Sequence, residues 1–342
     1  MHPCANPSVE RLAANTHRRG AEGAEGAQRT NLLSAPPLRP LRLCGELKPL
    51  NAQLKSYPAL LLHAFIIICL FPLTPLAQNA APTPPAQAAD KRPADPKLPT
   101  LFVVGDSTAN NNANGARGWG DPFAAYFDPK KINVLNRARA GRSSRTFLTE
   151  GLWDKVLADM KPGDFVLIQF GHNDAGAIND ASRARGSLPG LGEETVEIDN
   201  MLTHKHEVVH TYGWYMRRFI ADARARGAHP IVLSLTVRNI WKDGRVERGP
   251  GRYGEWAAEV ARSQGVPFVD LTDIIADEYE KLGQEKVKEL FGPDHTHTSP
   301  AGAELNASLV VAGSKALRKN PLGPYFSAKG KAVAKARASH QK

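Results

Sequence analysis

The chain has 342 residues and a formal net charge of +10, which is enough for one large domain or two small ones. Residues 98–318 nevertheless carry 27 Lys and Arg against 28 Asp and Glu, so the positive excess lies at the two ends. A folded part without a basic excess argues against a nucleic-acid partner. All three cysteines precede residue 70, which excludes a disulfide, a thiol nucleophile and a cysteine-ligated zinc from that part.

An apolar stretch from Ala59 to Phe71 is interrupted only by His63. It is too short for an ordinary membrane span and is typical of the hydrophobic region of a signal peptide. We therefore predict a signal and cleavage zone over 59–81, followed by a Pro/Ala-rich linker over 82–97. Secretion or periplasmic export is expected, with no stable membrane association after cleavage. Residues 1–58 place this region unusually late, and we expect them to be an extension of doubtful authenticity rather than part of the natural protein.

One domain is predicted over 98–318, with a basic and disordered tail over 319–342 and no stable partner chain, so that the protein is a monomer. Short apolar runs predict five buried strands: Thr100–Val104, Ile132–Asn136, Phe165–Phe170, Pro230–Leu235 and Pro267–Leu271. Helical patterns lie between them, at Trp153–Met160, Thr211–Arg226 and Glu255–Ser263, and a last helix begins near Pro300. This alternation predicts a parallel sheet covered by helices on both faces.

The first strand runs directly into Gly105-Asp106-Ser107. A hydroxyl at the carboxyl end of a parallel strand lies where open α/β sheets place their chemistry. A serine becomes a nucleophile when an imidazole takes its proton and a carboxylate orients that imidazole. Asp294 and His297, three residues apart, fit these two roles. On spacing alone, His295 and His172 remain alternative bases.

Acyl transfer also needs hydrogen-bond donors for the oxyanion that develops on the attacked carbonyl group. The backbone N–H groups of Ser107 and Gly141 are candidates, since glycine permits close approach of a ligand. Asn173, which follows the third strand, can add a side-chain N–H. All these segments follow strand ends or precede the last helix, so the sheet topology predicts that they converge at one edge.

Together these segments resemble the SGNH (GDSL-type) hydrolases, whose four blocks contribute Ser, Gly, Asn and His in that order. The order here is Ser107, Gly141, Asn173 and His297. The family's Asp-x-x-His pattern falls on Asp294 and His297 and leaves His295 outside it. Further phrases are similar to the rhamnogalacturonan acetylesterase branch: GWG at 118–120, NRARAGRS at 136–143, TYGWY at 211–215, RNIW at 238–241 and DHTHTSPAGAE at 294–304.

The resemblance implies a three-layer α/β/α sandwich with a five-stranded parallel sheet, the flavodoxin-like SGNH hydrolase fold. It also implies a serine esterase that removes acetyl groups from an acetylated plant cell-wall polysaccharide or oligosaccharide through an acetyl-enzyme on Ser107, without a metal or a cofactor. An acetyl-xylan esterase and a general ester hydrolase or lipase are alternatives with the same chemistry. A non-catalytic carbohydrate-binding protein is an alternative of another class.

Other signals are weaker. Trp119 and Trp241 stand beside glycines and polar residues after strands and are candidates for contact with sugar rings. A His-x-His-x3-His pattern at 204–210 has zinc-like spacing, but without an obvious carboxylate ligand we interpret it as surface or substrate-loop histidines. The long polar insertion from Gly171 to about Lys205 is expected to form one wall of a pocket.

Overall fold

The computed structural model describes residues 93–292 and 294–337; the predicted extension, the signal segment and most of the linker lie outside them. In the described part the strands are β1 (Thr100–Gly105), β2 (Asn133–Asn136), β3 (Phe165–Gln169), β4 (Thr195–Asp199), β5 (His206–His210), β6 (His229–Leu233), β7 (Trp241–Lys242), β8 (Arg245–Val246) and β9 (Phe268–Val269). The α-helices of the same part are α1 (Gly120–Phe123), α2 (Ser144–Thr149), α3 (Leu152–Asp159), α4 (Tyr212–Ala225), α5 (Tyr253–Ser263), α6 (Leu271–Leu282), α7 (Gln284–Lys288), α8 (Pro300–Ala316) and α9 (Ala328–Ala332).

Strands β2, β1, β3, β6 and β9 form one parallel sheet in that order. These are the five strands expected from the sequence, and the predicted α/β fold is confirmed. The two remaining pairs, β4 with β5 and β7 with β8, are small antiparallel hairpins. No helix within the described residues combines the length and the apolar character that crossing a membrane requires.

The central strands are apolar on both faces because helices cover both. Leu101 and Val103 of β1 pack in one core with residues of α1, α6 and α8. Phe102 and Val104 of the same strand pack in a second core with residues of α2, α3, α4 and α5. Successive side chains of a strand point to opposite faces, so a continuous apolar run fills two cores and makes the three-layer sandwich.

Local sequence signals explain where the long helices begin and end. The hydroxyl of Thr211 accepts a hydrogen bond from the backbone N–H of Trp214 and caps α4, and Gly227 follows the helix with φ +71°. Ser299 caps α8 in the same way, and Pro300 lies in the first turn, where a proline is favoured; the helix thus begins where the sequence predicts it. These caps fix the points at which the chain leaves each helix for the next loop or strand.

The tail behaves differently from the expectation of disorder. Residues 319–337, the described part of the predicted tail, contain a 3-10 turn at Gly323–Tyr325 and the helix α9. Phe326 is 3% exposed, and its ring lies 5.2 Å from that of Phe127. Burial of such a ring stabilises the docked segment by about 2 kcal/mol. The folded domain therefore extends beyond the predicted boundary at 318.

Candidate active site

Three side chains from two distant segments form a hydrogen-bonded chain. The Ser107 hydroxyl lies 2.9 Å from Nε2 of His297. Nδ1 of the same ring lies 2.7 Å from Oδ2 of Asp294. Ser107 follows β1, whereas the other two residues lie in the loop before α8, so the fold brings together residues 190 positions apart. Among the described residues, His297 is the histidine that contacts Ser107.

The Asp294 carboxylate is organised by its own loop. Its Oδ1 accepts hydrogen bonds from the backbone N–H groups of Thr296 at 2.7 Å and of His297 at 2.8 Å. Burial would raise the pKa of Asp294, but the hydrogen bonds from the His297 ring and from these two N–H groups lower it to about 2. The carboxylate is therefore ionised across the ordinary pH range, and it holds the His297 ring with Nδ1 protonated and Nε2 facing Ser107.

The loop that carries Ser107 is shaped by Asp106, which is fully buried. The Asp106 carbonyl accepts hydrogen bonds from the N–H groups of Ala109 and Asn110, at 3.2 and 3.1 Å. Its carboxylate oxygen Oδ1 accepts from the N–H and the hydroxyl of Thr108, both at 2.8 Å. These hydrogen bonds of Asp106 form a tight turn immediately after β1. The next residue, Ser107, is partly exposed.

The three predicted oxyanion donors lie in three loops, and the loops of Gly141 and Asn173 contact each other. Gly141 has φ +79°, a conformation that a residue with a Cβ adopts only with strain. Nδ2 of Asn173 donates to the carbonyl of Arg142 at 2.8 Å, which leaves the other N–H of that amide for a ligand. Among the described residues, the backbone N–H groups of Ser107 and Gly141 donate no hydrogen bond. All three groups are consistent with donation to a bound oxyanion.

Asp174 is a residue of the site that the sequence does not single out. It is fully buried, and it accepts hydrogen bonds from the hydroxyl and the N–H of Ser144 and, at 3.0 Å, from the hydroxyl of Ser187. Burial raises the pKa of Asp174 to about 6, against the opposing effect of these hydrogen bonds. Since Ser144 begins α2 just after Gly141 and Asp174 follows Asn173, this carboxylate joins the loops that carry these two donors, Gly141 and Asn173.

The two alternative bases occupy other positions. His172 is buried, and its Nε2 lies 3.2 Å from the hydroxyl of Thr236. Burial is the main cause that lowers the pKa of His172. The side chain of His295 is exposed, and its backbone carbonyl accepts a hydrogen bond from the N–H of Asn239 at 2.7 Å. Both residues border the site, but neither takes part in the hydrogen-bonded chain that ends at Ser107.

The two tryptophans predicted to contact sugars differ. Trp119 is 0% exposed, and its Nε1 donates to Gln169 at 2.8 Å inside the core, so its prediction as a substrate contact is wrong. The glycines beside it allow close packing of backbone rather than ligand access: a Cβ on Gly118 would overlap the backbone of Ala109. Trp241 is partly exposed in the β7–β8 hairpin, and its Nε1 donates to the Asn239 side chain at 2.7 Å. It stays a candidate because Asn239 contacts the loop of His295.

The insertion after β3 folds as the β4–β5 hairpin and is fastened to the domain by Arg145. This fully buried arginine pairs with Glu207 of β5 at 2.6 Å and donates to the carbonyls of Ile178 and Gly186. A cavity of about 520 Å³ is formed mainly by the insertion itself, with Tyr253 as the one lining residue from outside it; the lining residues are Asp174, Ala175, Gly176, Ile178, Asn179, Ser187, Pro189, Val196, Ile198 and Tyr253. The insertion therefore lines a pocket at Asp174, and Ser107 and His297 are not among the residues that line it.

The histidines with zinc-like spacing lie on this hairpin rather than on a helix. His206 contacts the carboxylates of Glu197 and Asp199, and the ring of His210 stacks on Trp214 with centroids 3.8 Å apart. His204 stands in the turn with φ +54°. The part of the chain that the structure describes contains no group of three or more His, Cys, Asp or Glu side chains placed to hold a metal ion.

Comparisons with known proteins agree on one family. The sequence profile of the GDSL-like Lipase/Acylhydrolase family matches residues 103–305. The chain is 33% identical to the rhamnogalacturonan acetylesterase of Emericella nidulans over 212 residues, which are 62% of this chain and 83% of that protein. It is 30% identical to the rhamnogalacturonan acetylesterase RhgT of Bacillus subtilis over 235 residues, 64% of this chain and 90% of that protein. The crystal structure of YxiM from Bacillus subtilis shares the fold, with a TM-score of 0.50 at 23% identity, over 64% of this chain and 56% of that chain.

Proposed function

Because the chain belongs to the GDSL-like lipase/acylhydrolase family and is a carboxylic ester hydrolase of the SGNH type, we propose that it removes acetyl groups from rhamnogalacturonan through an acetyl-enzyme on Ser107. The observation that carries the mechanism is the chain of hydrogen bonds from Ser107 through His297 to Asp294. The substrate rests on the names of the relatives, two of which are rhamnogalacturonan acetylesterases at 30% identity or more.

In the first half-reaction, Oγ of Ser107 attacks the carbonyl carbon of the acetyl ester while its proton passes to Nε2 of His297. The negative charge that forms on the carbonyl oxygen is stabilised by the N–H groups of Ser107 and Gly141 and by the Asn173 amide. When the tetrahedral intermediate collapses, the bond to the sugar oxygen breaks and His297 returns the proton to that oxygen. The acetyl group remains on Ser107, and Asp294 stabilises the transient imidazolium.

In the second half-reaction a water molecule takes the place of the sugar hydroxyl. His297 removes a proton from the water, which attacks the acetyl carbonyl, and the proton then returns to Oγ of Ser107 as acetate leaves. The same donors stabilise the second oxyanion, so one site serves both halves. A binding module would have no use for a nucleophile, a base and an orienting acid in hydrogen-bonded sequence, which favours an enzyme over the carbohydrate-binding alternative.

The proposal is tested by measuring acetate release from acetylated rhamnogalacturonan, acetyl-xylan and 4-nitrophenyl acetate. Ser107→Ala is expected to lower kcat at least ~10⁴-fold on every substrate that the wild type hydrolyses, since it removes the nucleophile. Ser263→Ala, at an exposed serine at the end of α5, is the matched control and should keep wild-type rates. Equal rates for Ser107→Ala and wild type would refute the serine mechanism. Activity confined to acetyl-xylan would refute rhamnogalacturonan as the substrate.

We also propose that the protein is exported, because the apolar stretch from Ala59 to Phe71 has the length of a signal-peptide core. Sequencing the N-terminus of the mature protein is the direct test. A mature chain that starts shortly after residue 76 supports export and cleavage. A mature chain that still carries residues 1–58 contradicts both the cleavage and the expectation that this extension is not natural.

A further inference from the structure

Arg238 lies in the loop that follows β6, at the same sheet edge as Ser107. Two hydrogen bonds near it tie this loop to the rest of the site. The Thr236 hydroxyl lies 3.2 Å from Nε2 of His172, and the Asn239 N–H donates to the carbonyl of His295 at 2.7 Å. Arg238 therefore stands between the loop that carries Asn173 and the loop that carries His297.

The guanidinium of Arg238 is unpaired within the described residues. The next arginines along the chain, Arg245, Arg248 and Arg252, each have a carboxylate within 3.5 Å. Arg238 makes no such ion pair among residues 93–292 and 294–337, and its Nε is buried without a hydrogen-bond partner. Its two Nη groups, which have no partner in the same residues, are not among the buried atoms. Nε of this side chain is therefore buried, whereas its two Nη groups are accessible.

No carboxylate of the described residues pairs with this guanidinium, and the groups whose charges act on His172 together with it are Asp106 and His297. His172 beside it is buried, and burial lowers the pKa of His172; Asp106 raises that pKa, whereas Arg238 and His297 lower it further. A buried neutral imidazole cannot neutralise a cation, and the Asp106 carboxylate is enclosed in its own loop. An unneutralised arginine with its donors open to solvent attracts an anion and can bind a carboxylate with two parallel hydrogen bonds.

We propose that Arg238 binds the carboxylate of a galacturonate residue of the substrate end-on, through its two Nη groups, and thereby selects acidic polysaccharides over neutral ones. The inference rests on the proposed function and adds to it a residue that determines specificity. Rhamnogalacturonan carries a carboxylate on every galacturonate residue, whereas an unsubstituted xylan chain carries none. An arginine at the sheet edge that carries the nucleophile distinguishes these two polymers by charge, whereas the ester chemistry alone does not.

The test uses two substrates that differ only in the charge of their galacturonate residues: an acetylated rhamnogalacturonan oligosaccharide and the same oligosaccharide with its carboxylates methyl-esterified. A charge-assisted hydrogen bond contributes about 1.5–3 kcal/mol, so wild type should prefer the free acid by roughly 10- to 150-fold in kcat/KM. Arg238→Gln should abolish this preference, and Arg238→Lys, which keeps the charge but not the fork, should retain part of it. Arg262→Gln, at an exposed arginine near the end of α5, should retain all of it.

Each outcome bears on the proposal separately from the proposed function. Equal wild-type rates on the two oligosaccharides, or a full preference retained in Arg238→Gln, would overturn the carboxylate contact and leave the esterase assignment intact. Acetate release from neither oligosaccharide would overturn both. A wild-type measurement covers the case of a variant that fails to fold: galacturonate should inhibit hydrolysis of 4-nitrophenyl acetate, and its methyl ester should inhibit at least tenfold more weakly. Equal inhibition by the two would also overturn the contact.

Discussion

The two sides of Ser107 are built in opposite ways. On the acid–base side, the side chains of Asp294 and His297 are 44% and 27% exposed, and Asp294 is held by hydrogen bonds within three residues of itself. On the oxyanion side, Ser144 and Asp174 are fully buried and contact each other across 30 positions of the chain.

Because of this difference, substitutions on the two sides should affect catalysis and stability to different degrees. A substitution on the exposed side removes a group that reacts but leaves the packed layers untouched, so it should change rates far more than stability. A substitution on the buried side alters a carboxylate that the loops of Gly141 and Asn173 share, and unpaired buried polar groups cost about 1–3 kcal/mol each. The comparison therefore predicts large kinetic effects with a stable fold on one side and coupled effects on the other.

The largest effect that tests this comparison is expected for Asp294→Asn. An asparagine preserves the size of the side chain but does not orient the His297 ring with Nδ1 protonated, and kcat should fall by ~10³–10⁴-fold. The melting temperature should change little, because the site of substitution is exposed. Asp277→Asn, on the exposed surface of α6, serves as the control for loss of one carboxylate. A kcat within tenfold of wild type would show that Asp294 does not orient the base.

The second prediction moves to the oxyanion side with Asn173→Ala. Loss of one donor to the oxyanion should lower kcat by ~10²–10³-fold with little change in KM. The same substitution also removes the hydrogen bond to the Arg142 carbonyl, so a small loss of thermal stability should accompany it. Asn133→Ala, at the amino end of β2, removes a comparable side-chain bond to the Asp95 carbonyl and should leave kcat unchanged. A large rise in KM with an unchanged kcat would mean that Asn173 binds substrate and not the transition state.

The sequence is a good guide to the site where its parts are local. Ser107, Gly141 and Asn173 each stand in a loop that follows a strand of the sheet, so pattern and topology predict that they meet at one edge. The three-residue spacing allows Asp294 to contact His297, but spacing alone leaves His295 and His172 as alternative bases, and it is the family's Asp-x-x-His pattern that selects His297. The role of Asp174 is not predicted from the sequence, because its contacts with Ser144 and Ser187 depend on the tertiary structure and follow from no regular spacing in the chain. A carboxylate next to Asn173 in a loop has no local sign that it will be enclosed.

Two further differences between the sequence predictions and the structure also arise from tertiary packing. Trp119, flanked by glycines, is typical of an exposed ligand loop, yet tertiary packing places its ring in the core beside Phe123. The Lys-rich composition after residue 318 predicts a solvated tail, yet Phe326 and Leu322 bury their side chains against the core. Composition averages over a segment, whereas one or two large apolar side chains are enough to dock it.

The smallest effect on kcat, less than about tenfold, is expected for Asp174→Asn, and its main effect should be on how stability depends on pH. Burial raises the pKa of Asp174 from 3.8 to about 6 in the folded protein, so the folded state binds the proton more tightly than the unfolded state does. The free energy of unfolding of wild type should therefore fall as the pH rises through about 6, by about 2 kcal/mol between about pH 4.5 and about pH 7.5.

The Asp174→Asn variant should lose this slope, because asparagine does not ionise and can still accept the Ser144 hydrogen bonds. Asp294 does not contribute to the change in the free energy of unfolding over this pH range. Its pKa is lowered to about 2, so its contribution to stability is complete above about pH 4 and is lost only at lower pH. Urea unfolding of both proteins at pH 4.5 and 7.5 gives the comparison. An unchanged pH dependence in the variant would show that titration of Asp174 does not cause the pH dependence. The loops of Gly141 and Asn173 would then be held together by the hydrogen bonds of Asp174, with no effect of its ionisation on stability.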